Sequence, residues 1–223
     1  KDIQNGVVMD LVYGARTTDS RSVIPMLRYK KSDLFIEGLG LSFYGSYSDV
    51  DNNSTDTVPR RYNWLGEWVP NASTSSGERS RSQLHINNRE WRTNTSLNYT
   101  FNQYHTLSLN HVYSGLTRKV SDVEDPANEY NKVPQSIDKH ILGLGWMAEY
   151  TRWNATLFGK LYEMKGKTYI TNTHASGFEN VTNHYTEYGY GGAFTYFLFS
   201  KLQAKVSYEH TYRLPEAFEM FGD

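Results

Sequence analysis

Apolar side chains fall on alternate positions through much of the second half of the chain. Trp91, Leu97, Tyr99 and Phe101 share one parity, and Leu107, Leu109 and Tyr113 continue it after Asn102-Gln103-Tyr104. A second pair reads Leu142, Leu144, Trp146, Ala148 and Tyr150, then Trp153, Ala155, Leu157, Gly159 and Leu161 across Thr151-Arg152. A third reads Tyr188, Tyr190, Phe194, Tyr196 and Leu198, then Leu202, Ala204, Val206, Tyr208 and Tyr212. A period of two marks strands with one greasy face. Short reversals centre near 103, 151 and 200 and alternate with long polar stretches at 118–135 and 165–183. That layout predicts an antiparallel up-and-down meander, with tight turns at one end and long loops at the other. The spelling itself does not recur, so this is not an internal repeat.

Parity makes the expectation specific, because a slip of one residue sends every side chain to the wrong face. Leu144 is even and Leu157 odd, so partners in that hairpin sum to odd numbers and Tyr150 faces Trp153 around a two-residue turn. Leu97 and Leu107 are both odd, and Tyr196 and Ala204 both even, so those hairpins require odd-length turns of about three residues.

The first half is less regular. Strands are predicted over Val7–Arg16, Ser22–Tyr29 and Leu34–Ser48, with a polar turn at 17–21 and a tight reversal at Lys30-Lys31-Ser32-Asp33. In the third of these Phe35, Leu39, Leu41, Phe43 and Tyr47 share a face with Glu37, a charge that belongs near the short-turn end. Residues 49–88 are polar and punctuated and read as a long loop. A loop of that size is out of place in a compact soluble domain and expected in a receptor barrel. The tally is nine strands, each about as long as the roughly 9 to 11 residues a tilted membrane strand needs, some longer.

Composition points the same way. With 18 Tyr, 10 Phe and 5 Trp, aromatics make up 15% of 223 residues, yet the mean hydropathy is −0.65. Barrels reach that combination through aromatic girdles and a polar lumen. Phe101, Tyr104, Tyr150, Trp153 and Phe199 recur at the short reversals, where such a girdle would run. No apolar run is long enough for a transmembrane helix. There is no cysteine, hence no disulfide or thiolate metal site. The net charge is −1, and no polybasic stretch argues for nucleic acid. Lys1 to Gly6 carry no export signal. Five Asn-x-Ser/Thr sequons occur, at Asn71, Asn94, Asn98, Asn154 and Asn180; several fall inside predicted strands and reflect an Asn/Thr-rich composition.

The chain's last residues, Tyr212-Arg213-Leu214-Pro215-Glu216-Ala217-Phe218-Glu219-Met220-Phe221-Gly222-Asp223, resemble the late-barrel segment of TonB-dependent outer-membrane receptors. Pro215 fits, since proline cannot donate to a ladder and ends the strand predicted over 201–212 near Leu214. Arg61-Tyr62-Asn63-Trp64-Leu65-Gly66 carries a weaker similarity. The resemblance implies a partial transmembrane β-barrel with short periplasmic turns and long extracellular loops, in the outer membrane of a Gram-negative bacterium. It implies energy-coupled uptake of a scarce nutrient such as a ferric siderophore, haem, cobalamin or glycan. The family's plug domain and TonB box are not visible in this sequence, so TonB would be engaged through a missing N-terminal segment. The other partners implied are a small-molecule ligand and outer-membrane lipid. A nine-stranded piece of a larger barrel would leave two unpaired edges.

Candidate binding residues sit on the loop side. Tyr62, Trp64 and Trp68 either stack on a planar or sugar ligand or pack the long loop. Arg213 either meets an anionic ligand or plug carboxylates, or pairs with Glu209 or Glu216. No cofactor is expected. The seven histidines lack ligand spacing, and Asp122, Glu124 and Asp125 are either a solvated acidic loop, the favoured reading, or an oxygen-rich calcium site that lacks the usual glycine-centred loop. Two other classes are weighed. An outer-membrane hydrolase could pair Glu209 with Glu216, but no nucleophile or metal motif is present, so no enzyme is expected. A soluble β-sandwich binding module would show charges on the face where this chain has Leu, Trp, Tyr, Phe and Ala.

Overall fold

A computed structural model describes residues 2–4, 7–9, 16–56, 60–62, 68–70, 82–123, 134–172, 177–199, 202–216 and 219–220. The chain is all-β. Strands β1 (Asp2–Gln4) and β2 (Val7–Met9) form one small sheet, and β6 (Arg60–Tyr62) and β7 (Trp68–Pro70) another. The main sheet has nine strands: β3 (Arg16–Val23), β4 (Met26–Lys31), β5 (Leu39–Asp56), β8 (Ser82–Asn102), β9 (His105–Asp122), β10 (Gln135–Glu149), β11 (Trp153–Asn172), β12 (Gly177–Phe199) and β13 (Leu202–His210). Their order is β13-β12-β11-β10-β9-β8-β5-β3, with β4 also on β5. This is an up-and-down antiparallel meander, open and not closed into a barrel; among the described residues β13 and β3 do not pair.

The chain divides into two compact units, one of Lys1–Ser22, Asp49–Asn88 and Arg118–Pro134, the other of Val23–Ser48, Arg89–Thr117 and Gln135–Asp223. In the first, polar side chains do the holding. Asn87, only 8% exposed, donates from Nδ2 to Asp49 and Asp51, at 2.7 Å each. His85 Nε2 is 3.2 Å from Asp51, and the Gln83 N–H reaches the Asp122 carboxylate at 3.3 Å.

In the second unit the hairpins obey the expected parity. Ala148 pairs with Ala155 and Leu144 with Gly159, and the Tyr150 N–H donates to the Trp153 carbonyl at 2.8 Å. Tyr196 pairs with Ala204, but a bulge after Phe197 then sets Phe199 against Leu202. The expected odd-length turn is thus corrected: two residues separate Phe199 from Leu202, and the bulge at Leu198 absorbs the odd count. Thr100 meets Thr106 at 3.2 Å, which keeps even-sum pairing across the 103 reversal.

Several expected boundaries are corrected. The predicted first strand is represented by Val7–Met9, which pairs with Asp2–Gln4, while residues 10–15 lie outside the described ones. The predicted turn at 17–21 is strand β3. The predicted strand Ser22–Tyr29 is broken at Ile24-Pro25, since proline has no N–H for the ladder; the ladder still continues through the Pro25 carbonyl, which accepts from Tyr47 at 3.1 Å. The reversal that follows spans Ser32 to Gly38 rather than 30–33. It is closed by Leu34 N–H to Leu39 O at 2.8 Å and by Asp33, whose carboxylate takes the Gly38 N–H. Phe35 is therefore in the turn, 91% exposed, and Glu37 lies at the short-turn end as expected.

Among the described residues the expected long loops are largely strand. β5 reaches Asp56 and β8 starts at Ser82, β9 reaches Asp122, and 165–183 continues the β11–β12 ladder from Lys165↔His184 to Asn172↔Gly177. Runs of Thr, Asn, Lys and Tyr satisfy a ladder as well as leucines do. They lose the period-two signal only because no face there needs to be apolar.

Candidate functional site

Pairing fixes which side chains share a face in the second unit. One face carries Leu107 and Leu109, then Leu142, Leu144 and Trp146, then Leu157 and Leu161, then Tyr188, Tyr190 and Phe194, then Val206 and Tyr208. It is open: Leu144 is 60%, Leu157 56% and Val206 67% exposed. Among the described residues the buried apolar side chains are only Ile137, Ala148, Tyr162 and Met164, so no second layer covers this face.

At its turn end the face is edged by rings in sequence. Tyr99 neighbours Phe101, Phe101 stacks on His105 at 5.4 Å, and His105 stacks on Trp146 and meets Tyr150. Tyr150 stacks on both Tyr104 at 4.5 Å and Trp153 at 4.4 Å, and Trp153 faces Phe194. Four of the five expected girdle aromatics thus join one chain of contacts; Phe199 is 72% exposed.

The opposite face is polar and charged. Lys160 reaches Glu209 at 3.4 Å and lies 4.7 Å from the Phe158 ring centre. Arg92 is bonded to Glu90 at 2.5 Å, which also accepts from Ser114. Phe158 lies over Gly191, where an added Cβ would stand 2.5 Å from its Cζ; glycine there admits the ring against the backbone.

The segment after β13 turns onto this face. β13 ends at His210, earlier than the expected stop near Leu214, and residues 211–216 have no regular structure. Glu216 meets Lys139 at 3.5 Å, Tyr212 meets Tyr162 edge-on at 6.3 Å, and the Met220 methyl lies 3.0 Å from where a Cβ on Gly166 would stand. Beneath this strap Ile137 is 3% and Met164 0% exposed.

Arg213 pairs with neither of its expected partners. Its guanidinium forks onto Glu219, at 2.6 and 3.1 Å, and Glu219 also accepts the Glu216 N–H at 2.7 Å. The hydrogen bond from Arg213, with help from that N–H, holds the Glu219 carboxyl below the ordinary range, and the same bond raises Arg213. Arg92, Lys139, Lys160 and Arg213 are thus each matched with a glutamate.

Of the other sequence candidates, Trp64 lies outside the described residues, and Tyr62 and Trp68 are placed by backbone alone, facing each other across β6–β7. Asp122 caps Gln83, whereas Glu124 and Asp125 lie outside the described residues. Sequence reasoning missed Lys160, although alternation signals it: an even position among Leu157, Gly159 and Leu161 must face the other way. Lys139 with Glu216, far apart in sequence, had no such signal. Nor did the histidine pairs, His111 Nε2 to His140 Nδ1 at 3.2 Å and His184 to Glu163 at 3.0 Å. Among the described residues no three metal-ligating side chains converge. No protein-family model matches the chain, and no curated protein matches it.

Proposed function

We propose that this chain is wall from a TonB-dependent receptor barrel in the outer membrane of a Gram-negative bacterium, taking part in energy-coupled uptake of a scarce nutrient. The observation that carries the reading is the sidedness of the sheet: leucines and aromatics exposed on one face, glutamate–lysine and glutamate–arginine pairs on the other. In water an open apolar face of this extent is a liability or a contact surface; against lipid it is the required exterior. The apolar rows run from Leu142 to Tyr150 on β10 and from Trp153 to Leu161 on β11, close to the roughly 9 to 11 residues that span a bilayer. A β-sandwich would lay a second sheet over that face, and none of the described residues does so. The open edges of β3 and β13 fit a sheet continued by further strands, since lipid does not tolerate unpaired backbone.

In this reading the tight turns are periplasmic, the far ends of the strands extracellular, and the nutrient meets the polar face, with Arg213 and Glu216 on its approach. TonB is engaged through a segment outside this chain. No catalytic step is involved.

Refolding the parent barrel that closes both edges of this sheet with phospholipid vesicles, and floating them on a density gradient, tests the membrane part. Co-flotation with the sheet spectrum intact is expected, and a folded chain left at the bottom would overturn it. Deleting the encoding gene should abolish TonB-dependent growth on one of ferric siderophore, haem, cobalamin or glycan. Unchanged growth on all four would leave a barrel without a receptor's role.

A further inference from the structure

Imidazole and carboxylate side chains stand in a row where the leucine-bearing face turns polar. β9 places His111 there, β10 His140, β11 Glu163 and β12 His184. The ladder sets His140 directly opposite Glu163, and Glu163 reaches His184 on the next strand at 3.0 Å. His111 Nε2 lies 3.2 Å from His140 Nδ1, whereas the two ring centres are 5.4 Å apart and the ring planes 23°. The facing nitrogens therefore stand between the two centres, and the rings meet nitrogen to nitrogen rather than face over face.

The surroundings hold this pair in place. The Tyr113 ring packs on His140 at 4.8 Å, and its hydroxyl donates to Asp138 at 2.9 Å. A Cβ on Gly115 would collide with that hydroxyl, so the bare position admits it. The charged groups near the row are Asp138, Glu163 and Lys165, and Lys165 is the ladder partner of Asp138 on one side and His184 on the other. β12 sets the uncharged Thr186 opposite Glu163, and β8 presents Thr93 and Thr95 on this face. β13 reaches only as far as Tyr190 and adds nothing.

A neutral imidazole has one N–H and one bare nitrogen, so His111 and His140 hold each other with one donor and one acceptor. One added proton leaves that bond in place and makes it charge-assisted. A second would set two N–H donors and two positive charges against each other across the same gap, so the two rings titrate as a coupled pair. A proton gained by His184 faces the Glu163 carboxylate instead, and turns a neutral contact into an ion pair.

We propose that His111, His140, Glu163 and His184 form a pH-sensitive clasp across the far half of β9 to β12, in which His111 and His140 share one added proton and His184 holds another against Glu163. The clasp closes on mild acidification, where imidazoles take up protons and carboxylates stay ionised. It opens in stronger acid, where Glu163 becomes neutral and both rings of the pair are charged. It stands on strand register and side-chain contacts alone and does not rest on the membrane reading.

The test is an NMR titration of the full-length folded protein, isotope-labelled in its histidine nitrogens. On mild acidification one ring proton should become coupled to nitrogens of both His111 and His140. That signal should vanish in His111→Asn and in His140→Asn and persist in His210→Asn. Amide exchange at the ladder pair Ile141 and Tyr162, corrected for its intrinsic pH dependence, should slow severalfold from neutral to mildly acidic pH in the wild type and much less in His140→Asn and Glu163→Gln. No shared proton at any pH would overturn the clasp. So would a shared proton with the same exchange profile in wild type and variants, which would leave a static hydrogen bond and no switch. Should His140→Asn not fold, His111→Asn and Glu163→Gln decide.

Discussion

Strands β10 and β11 expose Leu142, Leu144 and Leu157 toward their turn, and Leu161 is half-buried on the same face. Farther along the same ladder, past Leu142↔Leu161, the same face turns polar with His140 and Glu163, which are paired with each other. There the apolar residues have changed sides: Ile137, Tyr162 and Met164 are buried on the opposite face, under the strap from Tyr212 to Met220. One continuous set of backbone hydrogen bonds thus supports two opposite choices of greasy face. The ladder does not dictate which side is apolar; the surroundings do. Under the membrane reading proposed above, lipid would lie against the first half and water against the second.

The largest expected effect comes from the buried side of the far half. Met164 has no exposed surface, so Met164→Ala should cost about 2 to 5 kcal/mol by the usual scale for such truncations, read as a lower urea midpoint. Leu144→Ala, at 60% exposure, should change the midpoint far less. Equal shifts would mean that the strap is not seated as described.

Charge placed on the outward face should separate the halves next. Leu157→Lys puts a cation in the middle of the apolar band and should cost about 2 to 4 kcal/mol in a bilayer, measured by denaturant titration of the vesicle-bound protein. Glu163→Lys, on the same strand and face but in the polar half, should stay within about 0.5 kcal/mol. Similar costs at both positions would erase the boundary between them.

This boundary also explains what the sequence could and could not disclose. Where one face is apolar, as at Leu142 to Tyr150 and Trp153 to Leu161, alternation gave strands, register and turn parity together. Where both faces take polar residues, as in β3 with Arg-Thr-Thr-Asp-Ser-Arg-Ser or in Lys165 to Asn172, the same ladder leaves no periodic trace, and strand was read as loop. The polar face was legible only in outline. Lys160 follows from alternation, but the strap's contacts between Glu216 and Lys139, or Met220 and Gly166, depend on how an irregular segment folds back.

Removing one link of the ring chain should have a smaller effect. Tyr150 stacks on Tyr104 and on Trp153, contacts worth about 0.5 to 1.5 kcal/mol each beyond area burial. Tyr150→Ala should therefore weaken the turn end by about 1 to 3 kcal/mol, with Trp fluorescence from the apolar half changing and the far half untouched. Tyr150→Phe keeps the rings but loses the hydroxyl contact to His105 at 3.1 Å, and should cost less.

The smallest effect belongs to the strap's own ion pair, and there the sign matters more than the size. The Glu219 carboxyl is held below its ordinary range chiefly by the fork from Arg213. A depressed carboxylate contributes stability that is present above its unfolded pKa and disappears as pH falls through the lower folded value. The strap should therefore stay docked at neutral pH and loosen only on acidification below the ordinary carboxylate range. Because both side chains are at the surface, solvent screening keeps the energetic gain small, so the proper readout is site-specific. A carbon-detected NMR titration of Glu219 should give a depressed midpoint in the wild type and a near-ordinary one in Arg213→Gln. A midpoint unmoved by that substitution would show that Arg213 points elsewhere in solution, toward the open space where a ligand would enter, and the strap would then have to be held by Lys139 and Tyr162 alone.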